Sequence, residues 1–413
     1  MAREMIGRNL PRVKEVNQFL IREKIYRKGP VSRIEIAESL GLTLPTITTN
    51  VNRMLSRGLI REIPDTRTRS RLGRHTMLLD IVPESRLYLG IEIRRGFRRA
   101  VVVDMRGNVV SCASDSSRLN EYDDAIRNAA EITLGLFSAG KPRFDDIASV
   151  GICTPGLVDS EKGLLISLLG HVWNNREIGR DMAGLLGYKG DVVVANNVIA
   201  RAFGLSLFRH EILKDTDNFA YMYVSTGIAC PLLRDVREHF GMVVGEGEVG
   251  HMVMNPDGPA CNCGNHGCLC VYSSEQNIMA NSIRAMREGE APVLAKIVGG
   301  DENRISMEVI IEALEQGDPA VTRLVDEAVR YLGLAIANID NFVKPGCVTI
   351  ECRYFNYDRY KEMLMAVINR NLYHRTGIES RFVFLPEDLY SGAKGAAAFA
   401  VKSDLESEMS WGG

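Results

Sequence analysis

Residues 261–270 read CNCGNHGCLC, with four cysteines, one histidine and two glycines in ten positions. Ten residues earlier stands His251. Cys261, Cys263 and Cys268, in C-x-C-x4-C order, supply three thiolates, and His251 can add one imidazole. That set closes a tetrahedral zinc site and leaves no position for a catalytic water, so the metal would be structural. Gly264 and Gly267 permit the tight turns such a loop needs. The plainer alternative is a set of buried, reduced cysteines that hold no ion. A thioredoxin-like dithiol is disfavoured, because a C-x-x-C at a helix start is absent. Cys270 is left over once four donors are assigned, since tetrahedral demand is then met.

The rest of the chain must position that loop. With 413 residues, 46% hydrophobic and 25% charged, it can bury a large core and should divide into two or three domains. No apolar run reaches the roughly 20 residues of a membrane helix. The N-terminus MAREMIGRNLPRVKEV has no signal-peptide core. The expectation is a soluble, cytoplasmic protein with no membrane partner. Nine cysteines over this length, four of them clustered, fit a reducing compartment better than a secreted disulfide scaffold.

Charge is unevenly distributed. Through Asp80 there are sixteen Lys and Arg against eight Asp and Glu, leaving thirty-four against forty-four for the remainder. The basic segment carries a pattern that explains the imbalance. Val13, Val16, Phe19, Leu20 and Ile21 recur near helical spacing from Pro11 to Lys28, and KGP ends that helix. Ser32 and Glu35 form a capping box for a second helix that stops at Gly41. Thr43 can cap a third helix, with Pro45 in its first turn and Ile47, Val51 and Leu55 on one face. Thr46, Thr48, Thr49, Asn50 and Arg53 are its candidate groups for base edges and phosphates in a major groove. After it, IRE and HTMLLDI can pair as strands around a loop bearing Arg67, Arg69, Arg71 and Arg74, a wing suited to a narrow minor groove. Helices, charge and wing agree, and point to double-stranded DNA.

Past Pro83 strands and helices alternate. RLYLGIEI reads as a strand, RRAVVVDMRGNVV as a hairpin, EYDDAIRNAAEITLGLFSAG as a helix and DVVVANNVIARAFG as a strand passing into a helix. FAYMYVSTGIACPLLRD resembles a second hairpin, and PAVTRLVDEAVRYLGLAIANIDNFV a long helix before the strand CVTIEC. This predicts an α/β architecture of two related lobes with a cleft between them.

The residues from Arg12 to about Ala400 resemble the ROK family of bacterial sugar kinases and sugar-responsive repressors. The resemblance rests on the winged helix–turn–helix, GICTPGLVD, EVGH, CNCGNHGC and the closing SGAKGAAAFA. It implies an α/β fold with an N-terminal winged helix–turn–helix at 1–82 and a two-lobed actin/hexokinase-like domain. The first lobe is expected at 83–195, completed by 386–413, and the second, with the zinc and sugar site, at 196–385. The DNA-binding extension places the chain with the repressor branch.

By the same resemblance, Asn196, Asn197, Glu248 and His251 are the sugar-binding candidates, His251 using the ring nitrogen that zinc leaves free. Cys270 stands where hexose-binding members usually carry a glutamate, so the effector need not be glucose. Three nucleotide contacts of family kinases are altered: Glu92, Ile93, Arg94 and Arg95 replace the glycine-bearing phosphate loop, Ala229, Cys230 and Pro231 the second glycine turn, and Glu351–Cys352 the adenosine-side glycines. Asn197 stands where kinases carry the catalytic Asp, and an amide cannot take the proton from a sugar hydroxyl. The expectation is therefore a non-catalytic, carbohydrate-responsive regulator, a repressor acting on an operator as a homodimer or dimer of dimers. Its rivals are control by a protein partner, such as a sugar-transport component, and an active ATP-dependent sugar kinase.

Overall fold

The computed structural model describes residues 10–407, apart from 67–75, 169–172, 191, 215, 217, 235–243 and 374–378. Two compact units emerge, Met1–Phe208 with Tyr390–Gly413, and Arg209–Leu389. None of the described helices is long and apolar enough to cross a membrane.

The first unit begins with α1 (Leu10–Lys28), β1 (Val31–Ser32), α2 (Arg33–Leu40), α3 (Leu44–Ser56), β2 (Ile60–Pro64) and β3 (Met77–Ile81). The capping box forms as expected: Glu35 N donates to Ser32 Oγ (3.1 Å), and Ser32 N to Glu35 Oε2 (2.6 Å). Gly41 closes α2 at φ 64°, the left-handed region in which glycine carries no Cβ penalty. Ile47, Val51 and Met54 are the buried face of α3, so Met54 closes a seam for which the spacing pointed to Leu55. The expected strand pair forms antiparallel, Ile60 opposite Ile81, and β1 adds a third strand beside β3.

The chain continues with β4 (Leu87–Ile93), β5 (Arg98–Asp104), β6 (Val109–Asp115), α4 (Tyr122–Gly135), β7 (Ile147–Thr154), β8 (Leu157–Asp159), β9 (Leu164–Ser167), β10 (Asn174–Arg176), α5 (Ile178–Leu186), β11 (Val192–Asn196) and α6 (Asn197–Phe208). Its sheet has the order β11-β7-β4-β5-β6, with β4, β7 and β11 parallel. Near-continuous apolar runs in β4, β5 and β7 fit strands covered on both faces.

The second unit runs through α7 (His210–Leu213), β12 (Asn218–Val224), β13 (Ile228–Ala229), β14 (Leu232–Arg234), α8 (Leu269–Ser273), α9 (Glu275–Arg287), α10 (Pro292–Val298), α11 (Met307–Glu315), α12 (Pro319–Val343), β15 (Cys347–Glu351), α13 (Asp358–Asn371) and β16 (Arg381–Phe384). Its sheet is ordered β13-β12-β15-β16, with β14 also pairing β12. One buried carboxylate serves two helices here. Asp318 Oδ1 accepts from the Ala320 and Val321 amides that begin α12, and Oδ2 from the Val293 and Leu294 amides that begin α10, all at 3.0 Å. Those four donors would otherwise be orphaned at helix N-termini.

The closing helix α14 (Ser391–Glu406) returns to the first unit. Helix α6, which the lobe expected at 83–195 leaves out, lies in this unit, which runs to Phe208. The cause is backbone contact: a Cβ at Gly395 of α14 would collide with the Ala200 carbonyl of α6, and one at Gly204 would lie 2.8 Å from the Gly395 Cα. Residues 1–82, expected as a separate domain, also cluster with this unit. Arg106 donates to the Tyr26 carbonyl (2.7 Å) and Asp80 Oδ1 (2.9 Å), and the Tyr26 hydroxyl donates to the Met105 carbonyl (2.5 Å). Arg22 donates to the Ser407 carbonyl (3.1 Å).

A buried ion pair lies at the end of β4. Arg201 Nη2 sits 2.8 and 3.1 Å from the two Glu92 oxygens, both side chains almost wholly inaccessible, and Arg201 also donates to Ser391. Removing one partner strands the other charge, so Arg201→Ala should lower unfolding free energy by about 3–5 kcal/mol. Urea denaturation followed by circular dichroism measures this, and an unchanged midpoint would contradict the packing described.

Candidate functional site

The cysteine loop is held from both ends. Val249–His251 form a single 3-10 turn, and Cys268 is the N-cap residue of α8. Between them, backbone bridges join Val253 to Cys268 and Ala260 to His266, and Cys261 N donates to the Asn265 carbonyl at 2.7 Å. Gly267, at φ 60°, leaves no room for a Cβ against the Asn255 carbonyl.

This folding brings His251, Cys261, Cys263 and Cys268 together, all four ligand atoms within 4.8 Å of one another. Cys261 Sγ is 3.6 Å from His251 Nδ1, and Cys263 Sγ is 3.7 Å from Cys268 Sγ. A tetrahedron with metal–sulfur bonds near 2.3 Å and metal–nitrogen bonds near 2.0 Å has edges of about 3.5–3.8 Å. These two separations fit those edges, and the four residues could hold a metal ion. Nδ1 is the ring nitrogen turned to the sulfurs, which leaves Nε2 as the second binding atom. His266 is engaged instead by its backbone bridge to Ala260.

Cys270 does not stand apart. Its sulfur lies 3.5 Å from Cys261 Sγ and 4.0 Å from His251 Nδ1, against two of the four donors. Burial raises the Cys261 thiol, yet hydrogen bonds from the Cys263 amide and thiol, Cys270 and His251 outweigh it and bring the group down to about 6. Cys268 is pushed up to about 12, mainly by burial.

The remaining sugar candidates divide between the units. Glu248 and His251 are adjacent in the second, where the His251 amide donates to the Glu248 carbonyl (3.1 Å). Asn196 and Asn197 are at the start of α6 in the first. Asn196 is the helix cap: Oδ1 accepts from the Val198 and Ile199 amides (2.8 and 3.3 Å), and Nδ2 donates to the Gly156 carbonyl (2.9 Å). Asn197 is buried, and its Nδ2 has no hydrogen-bond partner; the same holds for the hydroxyl of Thr154, which is paired in register with Asn196. Buried polar atoms without partners are costly, and so mark places that a ligand's hydroxyl groups can complete. Thr154 was missed from sequence, because nothing in TPG distinguishes a partnerless threonine from a turn residue.

On α3, Thr48, Thr49 and Arg53 are exposed and Thr46 and Asn50 half-buried. Thr49 donates to the Pro45 carbonyl (3.0 Å) and Asn50 to the Thr46 carbonyl (2.8 Å). Arg67, Arg69, Arg71 and Arg74 lie outside the described residues.

Charged side chains stand at the stretches that the resemblance compares with the kinases' nucleotide loops. At the first stands the Glu92–Arg201 pair, with Gly392 packed so closely that a Cβ would strike the Glu92 carboxylate. In the second unit, the Ser225 hydroxyl is 3.2 Å from Glu275 Oε2, and Arg353, following the altered Glu351–Cys352, gathers Glu275 (3.5 Å), Glu308 (2.7 Å) and Glu387 (3.2 Å). Neither arginine was singled out from sequence, since their carboxylate partners lie far away along the chain.

Comparison with known proteins agrees with this architecture. The ROK family model matches residues 88–403, and the MarR family model residues 15–69. The xylose repressor of Bacillus subtilis strain 168 is 26% identical over 346 residues, covering 82% of both chains. The crystal structure of a ROK family transcriptional regulator, a homolog of the E. coli MLC protein, superposes with TM-score 0.78 at 25% identity, covering 95% of this chain and 97% of that one. A ROK family glucokinase from Streptomyces griseus, in complex with glucose and AMPPNP, shares the fold with TM-score 0.65 at 22% identity, over 76% of this chain and 99% of its own. With a winged helix preceding a match that spans well over half its length, the chain belongs to the ROK family.

Proposed function

We propose that this chain is a sugar-responsive transcriptional repressor that binds an operator through its winged helix and has no kinase activity. The observation that carries this reading is the Glu92–Arg201 ion pair, which occupies the end of β4 in the same unit that anchors the winged helix through Tyr26, Asp80 and Arg106. The Arg201 guanidinium there is already neutralised by a buried carboxylate rather than presented to a triphosphate. Asn197 supplies no general base. Positioning alone then leaves phosphoryl transfer without its proton acceptor.

The His251, Cys261, Cys263 and Cys268 site holds zinc in a structural role, joining the Val249–His251 turn to the following loop. Zinc on Nδ1 fixes the His251 tautomer, so that Nε2–H donates to a sugar hydroxyl while the Glu248 carboxylate accepts from another. Within the first unit, the buried Asn197 Nδ2 and Thr154 hydroxyl are polar groups that a ligand's hydroxyls could complete. Cys270 offers no carboxylate acceptor, and a pentose such as the xylose named for the Bacillus relative is a natural first probe. Thr46, Thr48, Thr49, Asn50 and Arg53 face the major groove and Arg67, Arg69, Arg71 and Arg74 the minor groove and phosphates. In the cytoplasm, a homodimer presents two such helices to half-sites about 34–36 Å apart, or a multiple of that spacing.

Freshly purified protein should contain about one zinc per chain by elemental analysis, and Cys263→Ser should contain little. Metal-free wild-type protein would refute the zinc assignment. Calorimetry over a panel of pentoses and hexoses should find a saturable ligand whose binding weakens at least about tenfold in Glu248→Ala. No binding across the panel would favour a protein partner, and sugar-dependent ADP release abolished by Asn197→Ala would restore the kinase reading.

A further inference from the structure

Five donors crowd a site that needs four. Cys270 Sγ lies 3.5 Å from Cys261 Sγ, closer than the 3.7 Å between Cys263 and Cys268, and 4.0 Å from His251 Nδ1. Cys261 and Cys270 are both partly exposed, whereas Cys268 is buried. Cys270 is also the one thiol of the loop outside the four-residue metal cluster, so bonding it to a neighbour removes a single metal ligand. Joining Cys263 to Cys268 would remove two, and joining Cys261 to Cys263 would close a small strained ring.

We propose that Cys261 and Cys270 are a peroxide-sensitive pair, oxidation of which forms a disulfide and dismantles the metal site. The inference rests on the zinc reading above. In the first step the Cys261 thiolate, kept deprotonated by its place in the metal site, attacks the terminal oxygen of a peroxide ROOH. The O–O bond breaks, RO⁻ departs and Cys261 becomes a sulfenic acid. In the second step Cys270 sulfur attacks the Cys261 sulfur, the S–O bond breaks, and hydroxide leaves with the Cys270 proton as water. The peroxide gains two electrons, and the two sulfurs lose them in becoming a disulfide. The sulfurs close from 3.5 Å to a bond of about 2.05 Å.

The consequence follows from what holds the loop. The Val253–Cys268 bridge and the hydrogen bond from Leu269 N to the Met252 carbonyl (2.8 Å) hold the backbone after His251 to the loop, but these bonds do not fix the imidazole itself. With Cys261 withdrawn, three donors remain, and the His251 ring loses the sulfur 3.6 Å from Nδ1 that helps fix it. Oxidation would thereby switch off the sugar response.

The test uses full-length zinc-loaded protein and hydrogen peroxide, with zinc release followed by a chromogenic chelator and disulfides mapped by peptide mass spectrometry. Wild-type protein should release its zinc with a Cys261–Cys270 disulfide, and thiol reductant with added zinc should reverse both. Cys270→Ser should keep its zinc before treatment and form no disulfide at Cys261 under peroxide, with the Cys261 sulfenic acid captured instead by dimedone. Failure of dimedone to capture Cys261 in Cys270→Ser, or a wild-type disulfide joining any other pair, would overturn the proposal. Disulfide mapping of the wild-type chain decides the pairing whether or not the variant folds. Absence of zinc before treatment would count against the zinc reading alone.

Discussion

The backbone of α14 lies almost directly on the backbones beneath it, and the first unit is built around that closeness. A Cβ on Gly90 of β4 would strike the Ala393 carbonyl, and one on Gly151 of β7 the Ala396 carbonyl; Gly395 and Gly204 face each other across α14 and α6. Only glycine lets two backbones approach this far, and the small side chains of SGAKGAAAFA fill what space remains. The residues that close the chain thus fix the parallel strands β4 and β7 and hold α6 in the same unit.

That helix also has two functional ends. At its start, Ser391 accepts a hydrogen bond from Arg201 beside Glu92, in the same sheet whose parallel strands end at Thr154 and Asn196. At its other end, Asp404 accepts from Arg86 and Tyr88 at 2.8 Å, and the Ser407 carbonyl just beyond accepts from Arg22 of the winged helix. Its 16 residues span about 24 Å. A rigid element thus joins the proposed ligand end of the unit to the winged helix, and a shift at one end has a physical route to the other.

Much of this was legible in the residues because it is local. Capping at Ser32 and Glu35, the C-x-C-x4-C spacing, the strand-to-helix change at Asn196–Asn197 and the long helix before CVTIEC all depend on neighbours within a few positions, where propensity and chemistry speak directly. What escaped depends on distant partners. Glu92 meets Arg201, Arg353 gathers carboxylates from two helices and a loop, and α6 joins the first unit through contacts with a helix almost two hundred residues later. The proposed metal site lay between these cases. Its four donors could be named from spacing, but the approach of Cys270 to Cys261 needed the turn from Cys268 into α8, which places a nominally spare thiol against two donors.

The central claim is that sugar and operator DNA compete through one molecule, which makes their coupling reciprocal. Fluorescence anisotropy on an operator fragment, with and without saturating sugar, paired with calorimetry of sugar binding to free and DNA-bound protein, measures it from both directions. The account predicts that sugar weakens DNA binding and DNA weakens sugar binding by the same factor, and that Arg53→Ala weakens DNA binding while leaving sugar affinity unchanged. DNA affinity independent of any sugar that binds would contradict it.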